Sequence, residues 1–409
     1  LLYSQVLIFL MYMIFRGRRS GGAVIDRFLV VTLIVTFSIW LLMAVTRFGL
    51  QPDQAFWNVA GVPVLWISLA SIILLVILLY YFIPRILKKI SLKHEAKVQV
   101  FLEVGLILTI WIGACLIWIN TPYSNSYFLT EPLPPDGHYW PMSDARLMDL
   151  GGQYLIIGGK LETPYFTEKP FYALFLGLLH FLFGQSYQTI TNIQIMVLAL
   201  IPVFLYLLGK EFSGKILGFS LAVFAIIKET NAILSTYKIS VSNSRLMMTE
   251  LPSALLLLIF SLLIIKWLKN RKPDWSLPLI SGVIIGVAIF VRSNNLFVLL
   301  VFLGLLFFNG LRNIRQRLPQ IGIFLFGVMM VITPWTVYNQ VTYGKDPLTW
   351  KIQSALETRF SITRNENRNE TSSEPTISKP DQTTLPVEAT PTFLPKHPSD
   401  ENQNMPQST

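Results

Sequence analysis

Two short polar motifs in one loop of the sequence carry the residue types that acid–base and phosphate chemistry require. The first is Ser143-Asp144-Ala145-Arg146, which follows a long apolar run, and the second is Glu168-Lys169-Pro170 at the far end of the same loop. A positioned carboxylate can remove a proton from one substrate, while a lysine ammonium holds a phosphate of another. At a membrane surface this combination predicts an enzyme that transfers a group from a lipid-phosphate carrier.

The composition is typical of a polytopic membrane protein. Hydrophobic residues make up 53% of the 409 residues and charged residues 14%, and the mean hydropathy is +0.53. A soluble domain normally carries about 25% charged residues. The apolar residues form long runs, which must be helical because lipid offers no hydrogen-bond partner to free backbone groups. The single cysteine, Cys115, lies inside such a run, which excludes a disulfide framework and a cysteine-based metal site.

The apolar runs predict an all-α polytopic membrane bundle, with a structured external loop and one interfacial helix. They cover 1–15, 28–46, 62–83, 101–119, 191–208, 216–235, 251–268, 276–291, 295–310 and 320–338. Most are close to the roughly 20 residues that a helix needs to cross a bilayer. A shorter run, 171–184, follows Pro170.

The runs divide the chain into three parts. Residues 1–99 are predicted to form three accessory transmembrane helices, and 100–345 a catalytic transmembrane module with the external loop 120–170. Pro, Thr, Ser, Asn and Glu dominate 346–409, where large apolar residues are scarce, so we expect a disordered tail or loop. Because the chain begins without Met and ends in this tail, we expect a piece of a longer protein, and run 1–15 is not assigned as a signal peptide.

Basic residues between the runs predict the orientation in the membrane. Placing five basic clusters in the cytoplasm gives one consistent threading, so the net charge of +10 does not indicate a nucleic-acid partner. Loop 120–170 and segment 228–250 then face outside. Run 171–184 begins and ends outside, which predicts an interfacial helix. The clusters are Arg16, Arg18 and Arg19; Arg85, Lys88, Lys89, Lys93 and Lys97; Lys210 and Lys215; Lys266, Lys269, Arg271 and Lys272; and Arg312, Arg315 and Arg317.

Asp144, Lys169 and Glu168 each have two readings. Asp144 is either a solvated charge or a general base, and its loop is rich in Pro, Tyr and Trp, which favours a structured loop that can hold a base. Lys169 is either a lysine that anchors an interfacial helix or a phosphate ligand. Glu168 either orients Lys169 or is a first-turn acid stabilised by the helix dipole.

Glu250 and Arg292 are ionisable residues at the ends of apolar runs. Glu250 is either a favourable first-turn acid or a catalytic carboxylate, and its depth at the membrane edge makes an unpaired charge costly. Arg292 separates two runs with only Ser293-Asn294-Asn295 as a turn, and a bidentate contact with a lipid phosphate is a reasonable role. His180 lies among Leu and Phe on run 171–184 and is interpreted as a satisfied structural residue outside the site.

The chain resembles the GT-C membrane glycosyltransferases, in the branch of the protein O-mannosyltransferases and the aminoarabinose transferase of lipid A. Each motif alone is weak, and the resemblance rests on their order, their spacing and their placement at one face over roughly 101–345. The motifs are Ser143-Asp144-Ala145-Arg146, Thr167-Glu168-Lys169-Pro170-Phe171, Leu182-Phe183-Gly184, Thr249-Glu250-Leu251, Val291-Arg292-Ser293 and Pro334-Trp335, followed by Asn339 and Gly344.

The resemblance implies a catalytic aspartate, here Asp144, which acts as general base on the acceptor. It implies that Glu168-Lys169-Pro170 contacts the donor phosphate, with Arg292 and Arg146 as further cations and Glu250 as the second acid. The donor would be a polyprenyl-phosphate sugar, and the transfer would invert the anomeric centre. The enzyme would lie in the cell membrane as a multi-pass protein, with its active site on the non-cytoplasmic face.

The sequence departs from the family pattern at several positions. The family often has Asp-Glu where this chain has Asp144-Ala145, and Glu250 replaces the more usual aspartate. Lys169-Pro170-Phe171 lacks the common second proline. These departures leave the donor sugar open. Some members of the family bind a divalent metal, and no His-rich or clustered-carboxylate signature in this sequence requires one, so a metal cofactor stays open as well.

Two other functions fit a membrane protein with these charges. A transporter or flippase of lipid-linked glycans would use Arg292 and the acids as a substrate path, but internal repeats with polar groups at mid-membrane are not found. A non-catalytic scaffold descended from such an enzyme would have lost Asp144, which is present. The sequence leaves open whether the acceptor is a protein, a lipid or a glycan, and it leaves the oligomeric state open.

Overall fold

The computed structural model describes residues 96–135, 137–158, 169–270, 274–310 and 314–344, together with residues 62, 64, 72 and 74. The predictions of three accessory helices before 100 and of a disordered tail after 345 fall on residues outside these ranges, and so does Glu168.

The described residues form a helical bundle, and no named strand occurs among them. The prediction of an all-α fold is therefore confirmed. The helices are α1 (Ala96–Asn120), α2 (Ser143–Ile156), α3 (Pro170–Phe183), α4 (Tyr187–Leu198), α5 (Leu200–Ser213), α6 (Lys215–Ser235), α7 (Glu250–Lys269), α8 (Ser276–Val291), α9 (Asn295–Gly310) and α10 (Ile314–Tyr343).

Five stretches of helix in the described residues are long and apolar enough to cross a bilayer, as a multi-pass membrane protein requires. They are Val100–Asn120, Tyr187–Ser213, Lys215–Ser235, Glu250–Lys269 and Leu318–Thr342. Each contains one of the apolar runs predicted from the sequence. Helices α8 and α9 have 16 residues each, which is shorter than the roughly 20 residues of a full span.

The long helices alternate in direction, so their connections fall into two sets. Loop 121–142, segment 236–249 and the turn 292–294 lie at one end of the bundle, which we call the loop end. At the opposite end, Lys210 Nζ and Lys215 Nζ lie 2.6 and 2.9 Å from the Glu103 carboxylate, and Lys269 Nζ lies 2.6 Å from Glu211 Oε2. This second end holds basic clusters that the sequence assigned to the cytoplasm.

Close helix packing in the bundle depends on glycine. A Cβ on Gly282 of α8 would overlap the Phe324 carbonyl oxygen of α10, and it would lie 3.0 Å from the Val328 nitrogen. A Cβ on Gly327 of α10 would lie 2.5 Å from the Leu279 carbonyl oxygen. Small residues let membrane helices approach until their backbones touch. Helix α8, which ends at Arg292, is therefore fixed against α10.

Gly282→Leu is expected to destabilise the bundle by about 2–3 kcal/mol, because the new side chain would push two backbones apart. Thermal unfolding of the detergent-solubilised protein measures the loss. Gly322→Leu is the matched control. Gly322 lies on α10, the helix that Gly282 contacts, and a Cβ there has no atom within 4 Å. Equal melting temperatures for the two variants would show that the α8–α10 contact is not tight.

Candidate active site

Several segments meet at the loop end around one cluster of buried side chains, which we call the loop-end cluster. Loop 121–142, helices α2, α3, α4 and α8 and segment 236–249 all contribute to it. The elements that carry Asp144, Lys169, Glu250 and Arg292 therefore share one core. The members are Leu129, Ala145, Met148, Tyr172, Leu176, Leu179, Tyr187, Ile190, Leu246, Met247, Met248 and Val291.

Asp144 lies in the first turn of α2, and the residue is exposed. The backbone on both sides of it is fixed, because the Met142 N–H donates to the Phe128 carbonyl at 2.9 Å and Ala145 is fully buried. Ser143 has a φ of 50°, in the left-handed region that residues other than glycine rarely adopt. Asp144 thus combines a fixed backbone with exposure to an incoming substrate, and a general base must be held within hydrogen-bond reach of its proton donor.

Residues 143–146 were predicted to lie in a loop. This prediction was wrong, because they begin helix α2. Two residues of an α-helix separated by one position point about 160° apart around the axis. Asp144 and Arg146 therefore flank the buried Ala145 on opposite sides, and both are exposed. The structure does not bring these two side chains together.

Helices α2 and α3 pack against each other in antiparallel directions. Asp149 Oδ1 lies 2.7 Å from His180 Nε2. A Cβ on Gly152 would lie 2.8 Å from the Gly177 nitrogen, so the two backbones nearly touch. Moving forward along α2 from Asp149 to Gly152 corresponds to moving backward along α3 from His180 to Gly177. Seven residues of α3 are buried, so the helix that was predicted to be interfacial also packs against protein along one face.

The antiparallel packing separates Asp144 from Lys169. Asp144 precedes Gly152 by eight residues and Lys169 precedes Gly177 by eight residues, so the two lie on opposite sides of the glycine contact. At a rise of about 1.5 Å per residue, their Cα atoms are roughly 24 Å apart along the pair. The two residues therefore share the α2–α3 pair, but they occupy its opposite ends.

Glu250 and Arg292 form an ion pair at the loop end, with 2.5 Å between Glu250 Oε1 and Arg292 Nη1. Glu250 is the first residue of α7 and Arg292 is the C-terminal cap of α8, so each charge is also stabilised by a helix dipole. Glu250 Oε2 is buried without a hydrogen-bond partner among the described residues. A guanidinium carries five N–H donors, so Arg292 has donors beyond those on the nitrogen that faces Glu250.

Lys169 lies on the same side of the α2–α3 pair as this ion pair. It caps the N-terminus of α3, and Pro170 follows at the first helical position, which Pro favours. The ring of Phe171 is 6.0 Å from that of Phe290, two residues before Arg292. The free N–H groups at a helix N-terminus and a nearby lysine together attract phosphate. The structure therefore groups Lys169, Glu250 and Arg292 at one end of α3 and leaves Asp144 at the other.

Segment 236–249, which leads into Glu250, is held by buried polar contacts. Gln194 Nε2 donates to the carbonyls of Ser244 and Leu246, each at 3.0 Å, and the Tyr172 hydroxyl donates to Gln194 Oε1 at 2.8 Å. The Ser244 N–H donates to Glu229 Oε1 at 2.5 Å. The position of Glu250 at the start of α7 is therefore fixed by α3, α4 and α6.

Arg245 joins this segment to the end of α1. Its Nε and Nη2 donate to the Trp118 carbonyl at 3.1 and 2.8 Å, and Nη2 also donates to Ile119. The guanidinium carbon lies 4.0 Å from the centre of the Tyr123 ring. Burial lowers the pKa of Arg245, while the neighbouring Tyr123 opposes that shift. The negative C-terminal end of α1 suits this buried cation.

Arg245→Met is expected to destabilise the protein by about 2–3 kcal/mol, because two buried carbonyls at the end of α1 lose charge-assisted donors. Arg245→Lys should lie between the parent and the methionine variant, since lysine keeps the charge and loses the planar fork. Thermal unfolding measures both effects. A methionine variant as stable as the parent would mean that water replaces the arginine at these carbonyls.

A cavity of about 320 Å³ opens beside the loop that leads to Asp144. Its wall combines aromatic rings with polar groups, and the rings of Tyr123 and Tyr139 stack at 4.8 Å. Asn125 Nδ2 donates to Glu131 Oε1 at 2.8 Å. The lining residues are Tyr123, Ser124, Asn125, Glu131, Pro132, Tyr139 and Tyr237.

A cluster of three or more His, Cys, Asp or Glu side chains that could hold a metal ion does not occur in the part of the chain that the structure describes. Glu168, beside Lys169, falls outside that part.

A known protein family matches the part of the chain that carries Lys169, Glu250 and Arg292. Residues 164–338 match the model of the dolichyl-phosphate-mannose-protein mannosyltransferase family. The matched stretch covers less than half of the chain and is consistent with a membrane glycosyltransferase of the GT-C type, which confirms the resemblance found in the sequence. It includes Lys169, Glu250 and Arg292, and it begins after Asp144 and Arg146. No curated protein and no solved structure matches the chain.

Sequence reasoning missed the polar contacts that hold the site together. Asp149 was not considered, and His180 was set aside as structural, which agrees with its burial and its two hydrogen-bonding contacts. The role of Arg245 was missed as well. Its ligands are carbonyls 126 and 127 residues away, which no local pattern reveals. One signal was available for α2: Ala145, Met148, Asp149 and Gly152 recur at helical spacing and are the buried face.

Proposed function

We propose that this protein is a membrane glycosyltransferase that moves a sugar from a polyprenyl-phosphate donor to an acceptor at the loop end, with inversion at the anomeric carbon. The observation that carries the proposal is the family match over 164–338. The description of that family names dolichyl-phosphate mannose, which is a sugar on a polyprenyl phosphate. The grouping of Lys169 with the Glu250–Arg292 ion pair within the matched stretch supports a phosphate site there.

In the proposed reaction, Asp144 is the general base. Its carboxylate takes the proton of an acceptor hydroxyl as that oxygen forms a bond to the anomeric carbon of the donor sugar. The bond from this carbon to the phosphate oxygen breaks on the opposite face, and its electron pair leaves with the polyprenyl phosphate. The exposed carboxylate on a fixed backbone supports this role.

The departing phosphate is proposed to be stabilised by Lys169, by Arg292 and by the N-terminus of α3. Charge that develops on the leaving group is best stabilised by cations already in place. Glu250 is proposed to orient the Arg292 fork through its ion pair and to act as the second catalytic carboxylate, a role that its buried, unpartnered oxygen supports. Arg146 lies two residues after Asp144, at the end of the α2–α3 pair opposite to Lys169, so the phosphate role predicted for it does not fit this site. Glu168 is proposed to orient Lys169.

The separation of Asp144 from Lys169 suits an in-line displacement, in which the base and the leaving group lie on opposite faces of the reacting carbon. An extended lysine, a phosphate, the anomeric carbon, the acceptor oxygen and an aspartate side chain, joined by hydrogen bonds of about 3 Å, together span roughly 20 Å. That span is shorter than the roughly 24 Å between the two Cα atoms along the α2–α3 pair, so the two side chains must come a few ångströms closer when substrate binds. Their placement at opposite ends of the pair supports an in-line displacement.

The acceptor is proposed to approach along the cavity beside Tyr139. Asp144 follows Tyr139 by five positions, so their Cα atoms lie within about 18 Å of each other. The loop end is proposed to face the non-cytoplasmic side, because the opposite end carries Lys210, Lys215 and Lys269, and basic loops stay in the cytoplasm.

The products of the reaction test this proposal. The protein in lipid vesicles is incubated with one polyprenyl-phosphate sugar at a time, and mass spectrometry follows release of polyprenyl phosphate. Nuclear magnetic resonance of the transferred sugar gives its anomeric configuration. We expect free polyprenyl phosphate and a product of inverted configuration. Retained configuration would exclude a single displacement with Asp144 as base, and vesicles that only move the intact donor between leaflets would indicate a flippase.

A further inference from the structure

Asp149 and His180 form a buried pair between α2 and α3 that the proposed reaction does not use. Asp149 is 7% exposed and His180 is 2% exposed. Asp149 Oδ1 lies 2.7 Å from His180 Nε2. The second carboxylate oxygen, Oδ2, accepts from Gln153 Nε2 at 2.7 Å, and His180 Nδ1 lies 3.1 Å from the Gly184 carbonyl oxygen.

The partners fix the number of protons in this pair. The Gly184 carbonyl can only accept, so His180 Nδ1 carries a hydrogen. The Gln153 amide donates to Oδ2, which leaves one proton between Oδ1 and Nε2. Whether that proton belongs to the histidine or to the aspartate, the pair has no net charge and all four of its polar atoms are satisfied. A fully satisfied buried polar contact holds its elements in one arrangement.

The pair lies where it can set the position of Asp144 relative to Lys169. It is one turn away from the contact between Gly152 and Gly177, at which the two backbones nearly touch. Asp149 follows Asp144 by five residues on α2, and the pair therefore holds the part of α2 that carries the base. The glycines fix how closely the helices approach, and the hydrogen bonds fix how far one slides along the other.

We propose that Asp149 and His180 are positioning residues, which hold α2 on α3 so that Asp144 and the phosphate site at Lys169 keep the separation that the displacement requires. This inference rests on the proposed glycosyl transfer. Both side chains are buried between the helices, away from the residues proposed to bind the donor and the acceptor. Because a misplacement of about 1 Å can cost a factor of 100 in rate, loosening this contact affects the chemical step more than donor binding.

The test compares two substitutions of one residue. Asp149→Leu leaves His180 without its partner, whereas Asp149→Asn keeps the contact, because an amide N–H can donate to Nε2 while the amide oxygen accepts from Gln153. The rate of polyprenyl-phosphate release per folded molecule and the donor KM are measured for both. We expect Asp149→Leu to lower kcat at least tenfold with donor KM within twofold, and Asp149→Asn to keep kcat within threefold of the parent.

A purely structural role predicts a different result, in which Asp149→Leu lowers the yield of folded protein and leaves kcat per folded molecule unchanged. That result would overturn the proposal, and so would a rise in donor KM at unchanged kcat. His180→Phe is the second variant, and it should show the same loss of kcat if the two residues act together.

A distance measurement separates this proposal from the proposed function. Spin labels at Met142→Cys and Leu174→Cys, both exposed, are introduced in a Cys115→Ala background. We expect a narrow distance distribution in the parent and in Asp149→Asn, and a broad or shifted one in Asp149→Leu. If the parent releases no polyprenyl phosphate, the glycosyl-transfer function fails and the distances alone decide whether the pair sets the spacing. Identical distributions in all three proteins would overturn the positioning role.

Discussion

Asp144→Asn should lower the rate of sugar transfer by about 10²- to 10⁴-fold, which is the contribution of a positioned general base. The amide has nearly the same shape as the carboxylate and cannot take the proton of the acceptor. The residue is exposed at the start of α2, so the fold should be unaffected. Donor binding should stay within twofold of the parent, because the phosphate site lies at the other end of the α2–α3 pair. Single-turnover kinetics and donor titration measure the two quantities separately.

Asp274→Asn is the matched control for this substitution. Asp274 is also an aspartate at a helix N-terminus, but it is partly buried and precedes α8 at the end of the bundle opposite to Asp144. Hydrogen bonds from the Ser276 hydroxyl and N–H lower the pKa of Asp274. This variant should transfer sugar at the parental rate. Parental activity in Asp144→Asn, or an equal loss in both variants, would contradict the assignment of Asp144.

Arg292→Ala should weaken donor binding by about 10- to 100-fold, since a charge-assisted hydrogen bond contributes roughly 1.5–3 kcal/mol. The substitution removes a cation from the phosphate site and also leaves the Glu250 carboxylate without its partner, so the remaining charge repels the phosphate. Titration with a polyprenyl phosphate that carries no sugar measures binding without turnover. Arg292→Lys should bind with intermediate affinity, because it keeps the charge and loses the bidentate geometry.

Glu250→Gln and the double variant separate the two effects of losing Arg292. Glu250→Gln alone removes the ion pair and keeps the cation, so donor binding should remain within a few fold of the parent. The double variant Arg292→Ala/Glu250→Gln should bind better than Arg292→Ala, because it also removes the repulsion. If Arg292→Ala lowers only the melting temperature and binds the donor as the parent does, the ion pair merely clamps α7 to α8.

The transmembrane helices were predictable because lipid imposes one solution on every long apolar run. The run 251–268, for example, appears as Glu250–Lys269, with the acid in the first turn and lysines in the last. The turn after α8 was also predictable, because three polar residues follow Arg292 between two apolar runs. In each case the signal lies within a few consecutive residues.

The arrangement of the site could not be read from local patterns. Helix α2 has buried residues on only one face and contains Gly151 and Gly152, so its polar sequence was taken for a loop. Its antiparallel packing on α3 depends on Gly177, 25 residues further along the chain, and on the contact between Asp149 and His180. The sequence placed Asp144 and Lys169 on one membrane face, and only this packing places them at opposite ends of a helix pair.

The most direct test of the central claim is donor consumption by the protein and two variants. The membrane-embedded parent, Asp144→Asn and Asp274→Asn are each incubated with a panel of polyprenyl-phosphate sugars, and mass spectrometry follows each donor. Consumption of one donor by the parent and by Asp274→Asn, and its loss in Asp144→Asn, is the predicted result and identifies the sugar. Equal consumption by all three would remove Asp144 from the mechanism, and no consumption by the parent would contradict the transferase itself.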